Sequence, residues 1–109
     1  MSFAQNLKLL PGVAHLSRLD LIDANEEVVA SIENKSGQTG SLAIYNHLGQ
    51  IYGAITADAA KKGLELYDEH AEDARANPGK HPNIDRLLTL AAAGNGMLRL
   101  RHNFATDLE

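Results

Sequence analysis

Apolar and polar positions change period several times along the chain, and each change marks an element. Phe3, Leu7 and Leu10 recur at helical spacing behind Ser2 and Gln5, which fit a capping box, and Pro11 with Gly12 ends this short helix. Over "HLSRLDLIDANEEVVASIEN" the period falls to alternation, with Leu19 and Leu21, then Val28, Ala30 and Ile32, set between polar neighbours. Asp23 to Glu26 is turn chemistry between them, so the stretch predicts a β-hairpin. "KSGQTG" reads as a flexible connection.

Within "SLAIYNHLGQIYG" a helical wheel gathers Leu42, Ile44, Tyr45, Leu48, Ile51 and Tyr52 on one broad half and Asn46, His47 and Gln50 on the other. Strand alternation would place Asn46 among the leucines, so the pattern predicts a helix capped by Ser41. Gly49 inside it costs about 1 kcal/mol relative to alanine, which signals close packing against a neighbour. Gly53 breaks the helix, and Thr56 caps the next, whose stripe is Ala60, Leu64, Tyr67, Ala71 and Ala74 with Glu65, Glu69 and Glu72 opposite. "NPGKHP" stops it. A last helix carries Ile84, Leu87, Leu88 and Ala91 and ends at Gly94. "MLRLRHNF" then alternates Leu98, Leu100, His102 and Phe104 against Arg99, Arg101 and Asn103, as a half-buried strand does.

Strands at both ends of the chain with helices between them predict an α+β fold. The N-terminal hairpin and the C-terminal strand form a small antiparallel sheet, packed against three to four helices, in a single domain over residues 1–109.

Composition narrows the function more than it identifies it. A formal charge of -4 argues against a general affinity for nucleic acid or anionic membranes. The absence of cysteine removes thiolate nucleophiles and cysteine-ligated metal sites and suits a reducing cytoplasm. No signal peptide, membrane span, metal motif or cofactor motif is read. The stretches "IENKSGQTGSL", after the hairpin, and "PGKHPNIDRLL", after an acidic helix, resemble a family of short bacterial proteins of unknown function. That resemblance implies a bacterial source and a single domain, and brings no activity, cofactor or catalytic residue.

The stretch most like a site is "ARANPGKHPNIDRLL". Lys80 and His81 sit in a connector, Asn83 can cap the last helix, and Asp85 meets its positive end, an arrangement that would suit an anionic small molecule. Each residue also has a structural job in turning or capping the chain, and no base–nucleophile pair follows from the spacing, so the structural reading leads. "ENKSGQTGSL" has the layout of a phosphate loop without its lysine spacing, leaving a weaker anion nest at Gly40 and Ser41. "DANEE" lacks the glycine of a calcium loop. Glu65, Asp68, Glu69, Glu72 and Asp73, with His70 among them, read as a solvated face. Arg99 and Arg101 are best explained by cross-strand pairing with an acidic neighbour.

From Ser36 to Ala57 there is no Asp, Glu, Lys or Arg. Tyrosines in a charge-depleted stretch mark interface cores, so Tyr45, Leu48 and Tyr52 are read as contacts with a protein partner or a second copy in a homodimer. The leading functional reading is therefore a cytoplasmic bacterial domain that acts by binding, through self-association or a protein partner, with no catalytic set. The alternative is a small-molecule or anion-binding module using Lys80, His81 and Asn83. The two part on convergence: a site needs those side chains to face one concavity.

Overall fold

The computed structural model describes residues 2–105. Strands β1 (Leu16–Ile22), β2 (Val28–Glu33) and β3 (Arg99–Phe104) form one antiparallel sheet in the order β2-β1-β3, with the hairpin and the C-terminal strand sharing β1 as centre. Among the described residues the helices are α1 (Phe3–Lys8), α2 (Thr39–Tyr52), α3 (Ala57–Tyr67), α4 (Glu69–Ala76) and α5 (Pro82–Ala93). The fold is α+β.

Strand alternation divides the sheet cleanly. Leu19, Leu21 and Ile32 are fully buried on the face toward α2. The opposite face carries Arg18, Asp20, Ser31, Arg101 and Asn103, in the register that sets Asp20 beside Ser31 on one strand and Arg101 on the other. Asp20 Oδ1 accepts from Arg18 Nε (3.0 Å) and Ser31 Oγ (2.6 Å), and Oδ2 from Arg101 Nη2 (2.8 Å) and Asn103 Nδ2 (3.0 Å). Burial alone would raise its proton affinity, but these donors outweigh it and hold the carboxyl well below the usual range. The acidic partner expected for Arg101 is therefore Asp20, and Arg99 meets Glu26 at 2.6 Å.

Local signals fix most ends. Ser2 and Gln5 form the capping box, Thr56 Oγ1 accepts from Ala59 N–H, and Gly53 and Gly94 close α2 and α5 in the left-handed region. Asp23 Oδ1 takes the amides of Asn25 and Glu27 in the hairpin turn. A Cβ on Gly49 would lie 2.2 Å from Leu100 Cδ1, so the close approach signalled by this glycine is that of α2 to β3.

Several expectations are corrected. The helix read as continuous from Thr56 to Ala74 is two, because Asp68 adopts φ 52° and ψ −116° between α3 and α4. The stripe nonetheless stays buried from Ala60 to Ala74, which is why periodicity alone joins the two. The N-cap of α2 is Gln38, with Ser41 already in the first turn, and the N-cap of α5 is His81, with Asn83 inside the helix. Burial on α2 ends at Leu48 and includes Asn46, while Ile51 and Tyr52 are exposed. Phe104, expected on the buried side of its strand, is 62% exposed at the end of an edge strand.

Candidate functional site

The connector before α2 and the connector before α5 open onto the same cavity, of about 660 Å3. Its walls are Phe3 and Leu7 of α1, residues 36–41 at the start of α2, Tyr67 and His70 at the junction of α3 and α4, and Lys80 to Ile84 with Arg86 on α5. The packing that creates it is specific. A Cβ on Gly40 would come within 2.9 Å of Phe3 Cζ and 3.2 Å of Leu7 Cδ1, so glycine there lets α1 lie against α2. The Phe3 ring stacks on Tyr67 at 5.6 Å and meets His70 edge-on at 4.6 Å. Tyr67 donates its hydroxyl hydrogen to Ser41 Oγ at 2.6 Å, and burial pushes the phenol far above its ordinary value.

Of the predicted ligand-binding residues, Gly40, Ser41, Lys80, His81 and Asn83 line this cavity. Asp85 does not: its carboxylate turns back to accept from Gly79 N–H at 2.9 Å and so holds the connector. The roles also differ from those expected. Gly40 serves helix packing, Ser41 is the acceptor for Tyr67, and Asn83 caps nothing with its side chain. Instead, the Asn83 carbonyl accepts from Tyr45 Oη at 2.5 Å, and Asn83 Oδ1 accepts from Arg86 Nη1 at 2.9 Å.

Of the predicted interface residues, Tyr45 and Leu48 are fully buried in the chain's own core and present no surface to a partner. Tyr45 faces α5 through its bond to Asn83, and Leu48 faces α3, where a Cβ on Gly63 would stand 2.9 Å from it. Tyr52 alone of the three is exposed, at 38%.

Charge is distributed unevenly around the cavity. Asp73, assigned from sequence to a solvated face, accepts from His81 Nε2 at 2.6 Å and Lys80 Nζ at 3.0 Å. The hydrogen bonds from His81 and Lys80 bring its carboxyl down to about 2. Arg86, which sequence reasoning passed over, donates from Nη1 to Tyr45 Oη at 3.1 Å and to Asn83 Oδ1, and no carboxylate among the described residues pairs with it. Burial pushes the Tyr45 phenol up to about 12, against the pull of Arg86. The one local hint of this arrangement is that Asn83 and Arg86 lie three apart on a helix. Among the described residues no cluster of histidine and acid is arranged to hold a metal ion. The cavity combines apolar walls from Phe3, Leu7 and Ile84 with the basic side chains of Lys80 and Arg86.

Fold and site together define a small α+β protein with a helix-walled cleft. The chain belongs to the bacterial family described as "Uncharacterized protein conserved in bacteria (DUF2322)", whose model matches residues 3–101, in keeping with the resemblance carried by its two loop stretches. It matches no curated protein and no solved structure.

Proposed function

We propose that this protein binds a small anionic molecule in the cleft between α1, the start of α2 and α5, and that it does so in the bacterial cytoplasm. The supporting observation is convergence. Two connectors far apart in sequence, each read from its residue pattern as a weak anion site, face one cavity that also receives Arg86. A guanidinium without a carboxylate partner among the described residues, beside apolar walls, attracts an anion and gives its apolar part a surface to cover.

A thermal-shift panel on the full chain tests this, using inorganic phosphate, nucleoside monophosphates and organic acids. A ligand that binds only the folded state raises its melting temperature by mass action, and His81→Ala should reduce the rise. An unchanged melting temperature across the panel overturns the reading.

Self-association is the second reading, now resting on a different surface. Ile51 (55% exposed), Tyr52 and Met97 (55%) are apolar and exposed, Met97 being next to the Leu98 that pairs with Ile55. Light scattering of Tyr52→Glu against the parent chain tests it: a monomer in both cases removes this reading.

A further inference from the structure

Arg86 carries more hydrogen-bonding capacity than the protein uses. Its Nη1 bonds to Tyr45 Oη and Asn83 Oδ1 occupy both N–H groups of that nitrogen. Nε and Nη2 have no partner among the described residues, and they are not sealed in the interior, where the unpartnered side-chain polar atom is Asn46 Nδ2. Arg18, Arg99 and Arg101, in contrast, each meet a carboxylate.

We propose that the Nε–Nη2 edge of Arg86 anchors the head group in the cleft, and that the ligand is an organic carboxylate whose apolar body lies against Phe3, Leu7 and Ile84. This rests on the anion-binding reading and narrows it to one residue and one ligand class.

The edge presents two roughly parallel N–H bonds, which match the two oxygens of a carboxylate. The guanidinium is also held in advance. Tyr45 is fully buried, its protonated phenol donates to the Asn83 carbonyl, and its oxygen therefore offers a lone pair to Nη1. The guanidinium carbon lies 5.8 Å from the centroid of the same ring. An arginine fixed by two acceptors loses little further freedom when a ligand arrives, so more of the interaction appears as affinity. Tyr45 and Asn83 are thus positioning residues.

A carboxylate fits better than a phosphate for a reason of charge. A phosphate dianion brings a second charge and a third oxygen, yet the connector's Lys80 and His81 side chains are already engaged with Asp73. Inorganic phosphate would also leave the apolar walls wet. A cavity of about 660 Å3 has room for a metabolite-sized body.

The test is calorimetry and amide chemical-shift mapping on the full chain with hexanoate, 3-phenylpropionate, the neutral 3-phenylpropionamide, phenyl phosphate and inorganic phosphate. At least one of the two carboxylates should bind with shifts at the cleft residues, and the amide should bind about tenfold or more weakly than its parent acid. Arg86→Gln should cost about ten- to a hundredfold in carboxylate affinity, and Arg86→Lys nearly as much, because charge without the planar edge cannot chelate. Tyr45→Phe should weaken binding while leaving the preference for acid over amide.

Phosphates binding more tightly than carboxylates, amide binding equal to acid, or affinity retained in Arg86→Gln would each overturn this inference and leave the anion-binding reading standing. No cleft shifts with any probe would overturn both. If Arg86→Gln fails to fold, the comparison of acid with amide on the parent chain decides the matter.

Discussion

His81 Nε2 lies 2.6 Å from Asp73 Oδ2, and the same oxygen receives Lys80 Nζ at 3.0 Å. These contacts tie the last turns of α4 to the residue that opens α5 and close the connector between them. One wall of the cleft is thereby held in place by an acid that sequence alone assigns to solvent.

Asp73→Asn should loosen that connector more than it destabilises the fold, because the acid is on the surface. The Lys80 amide, bonded to the Asn77 carbonyl, should exchange several-fold faster with solvent, with little change in melting temperature. The sign with pH follows from the lowered value. The contribution of Asp73 is complete above the unfolded carboxyl range of about 3.9 and is lost as pH falls through about 2. Carboxyl carbon NMR should therefore find a midpoint near 2, and an unshifted midpoint would show that the pairing does not persist in solution.

Asp20 should dominate the acid limb of stability. Its proton affinity is lowered in the folded state, so as pH falls the unfolded chain takes up the proton first and stability declines from about pH 5 downward. Asp20→Asn should cost about 2 kcal/mol at neutral pH. This is below the usual loss for a fully buried pair, because Arg18 and Arg101 are half-exposed and can turn to water. The variant should also show a flatter acid limb in denaturant titrations, and a limb as steep as the parent's would reassign the effect to other acids.

Gly63 is where α3, α2 and α5 meet. A Cβ there would lie 2.8 Å from Leu87 Cδ1 and 2.9 Å from Leu48 Cδ1, both side chains being fully buried. Gly63→Ala gains about 1 kcal/mol of helix propensity, but two interior leucines must leave their positions, and overpacking of this kind costs about 1–3 kcal/mol. Net destabilisation is expected in urea unfolding. A more stable variant would mean that the helices separate readily.

Asn46 is buried with Oδ1 3.0 Å from His102 Nε2 and Nδ2 without a partner. An unsatisfied buried donor costs about 1–3 kcal/mol, and the exposed His102 can bond water instead. Asn46→Leu should therefore stabilise the protein by about 1 kcal/mol in thermal unfolding. A loss of stability would show that the amide is satisfied after all.

Legibility in the sequence follows the range of the interaction. Ser2 with Gln5, Thr56 with Ala59, and Asp23 with the hairpin amides are bonds between near neighbours, and each is readable from residue type and spacing. Tyr45 is separated from Arg86 by 41 positions and Asp20 from Arg101 by 81, and no spacing rule spans such loops. The same limit explains Tyr45 and Leu48. A helical wheel identifies them as apolar, but whether an apolar arc meets the chain's own helices or a partner depends on where α3 and α5 pass.

The amino acids in order were enough to set the kind of each element, most of its ends and the α+β class, because these rest on backbone preferences and on periodic burial within a few turns. Packing alone decided that α3 and α4 are separate, that Tyr45 holds Arg86, and that two unremarkable connectors share a cavity. Those outcomes depend on contacts closed across long loops, where the free energy lies in the assembled neighbourhood rather than in any local stretch.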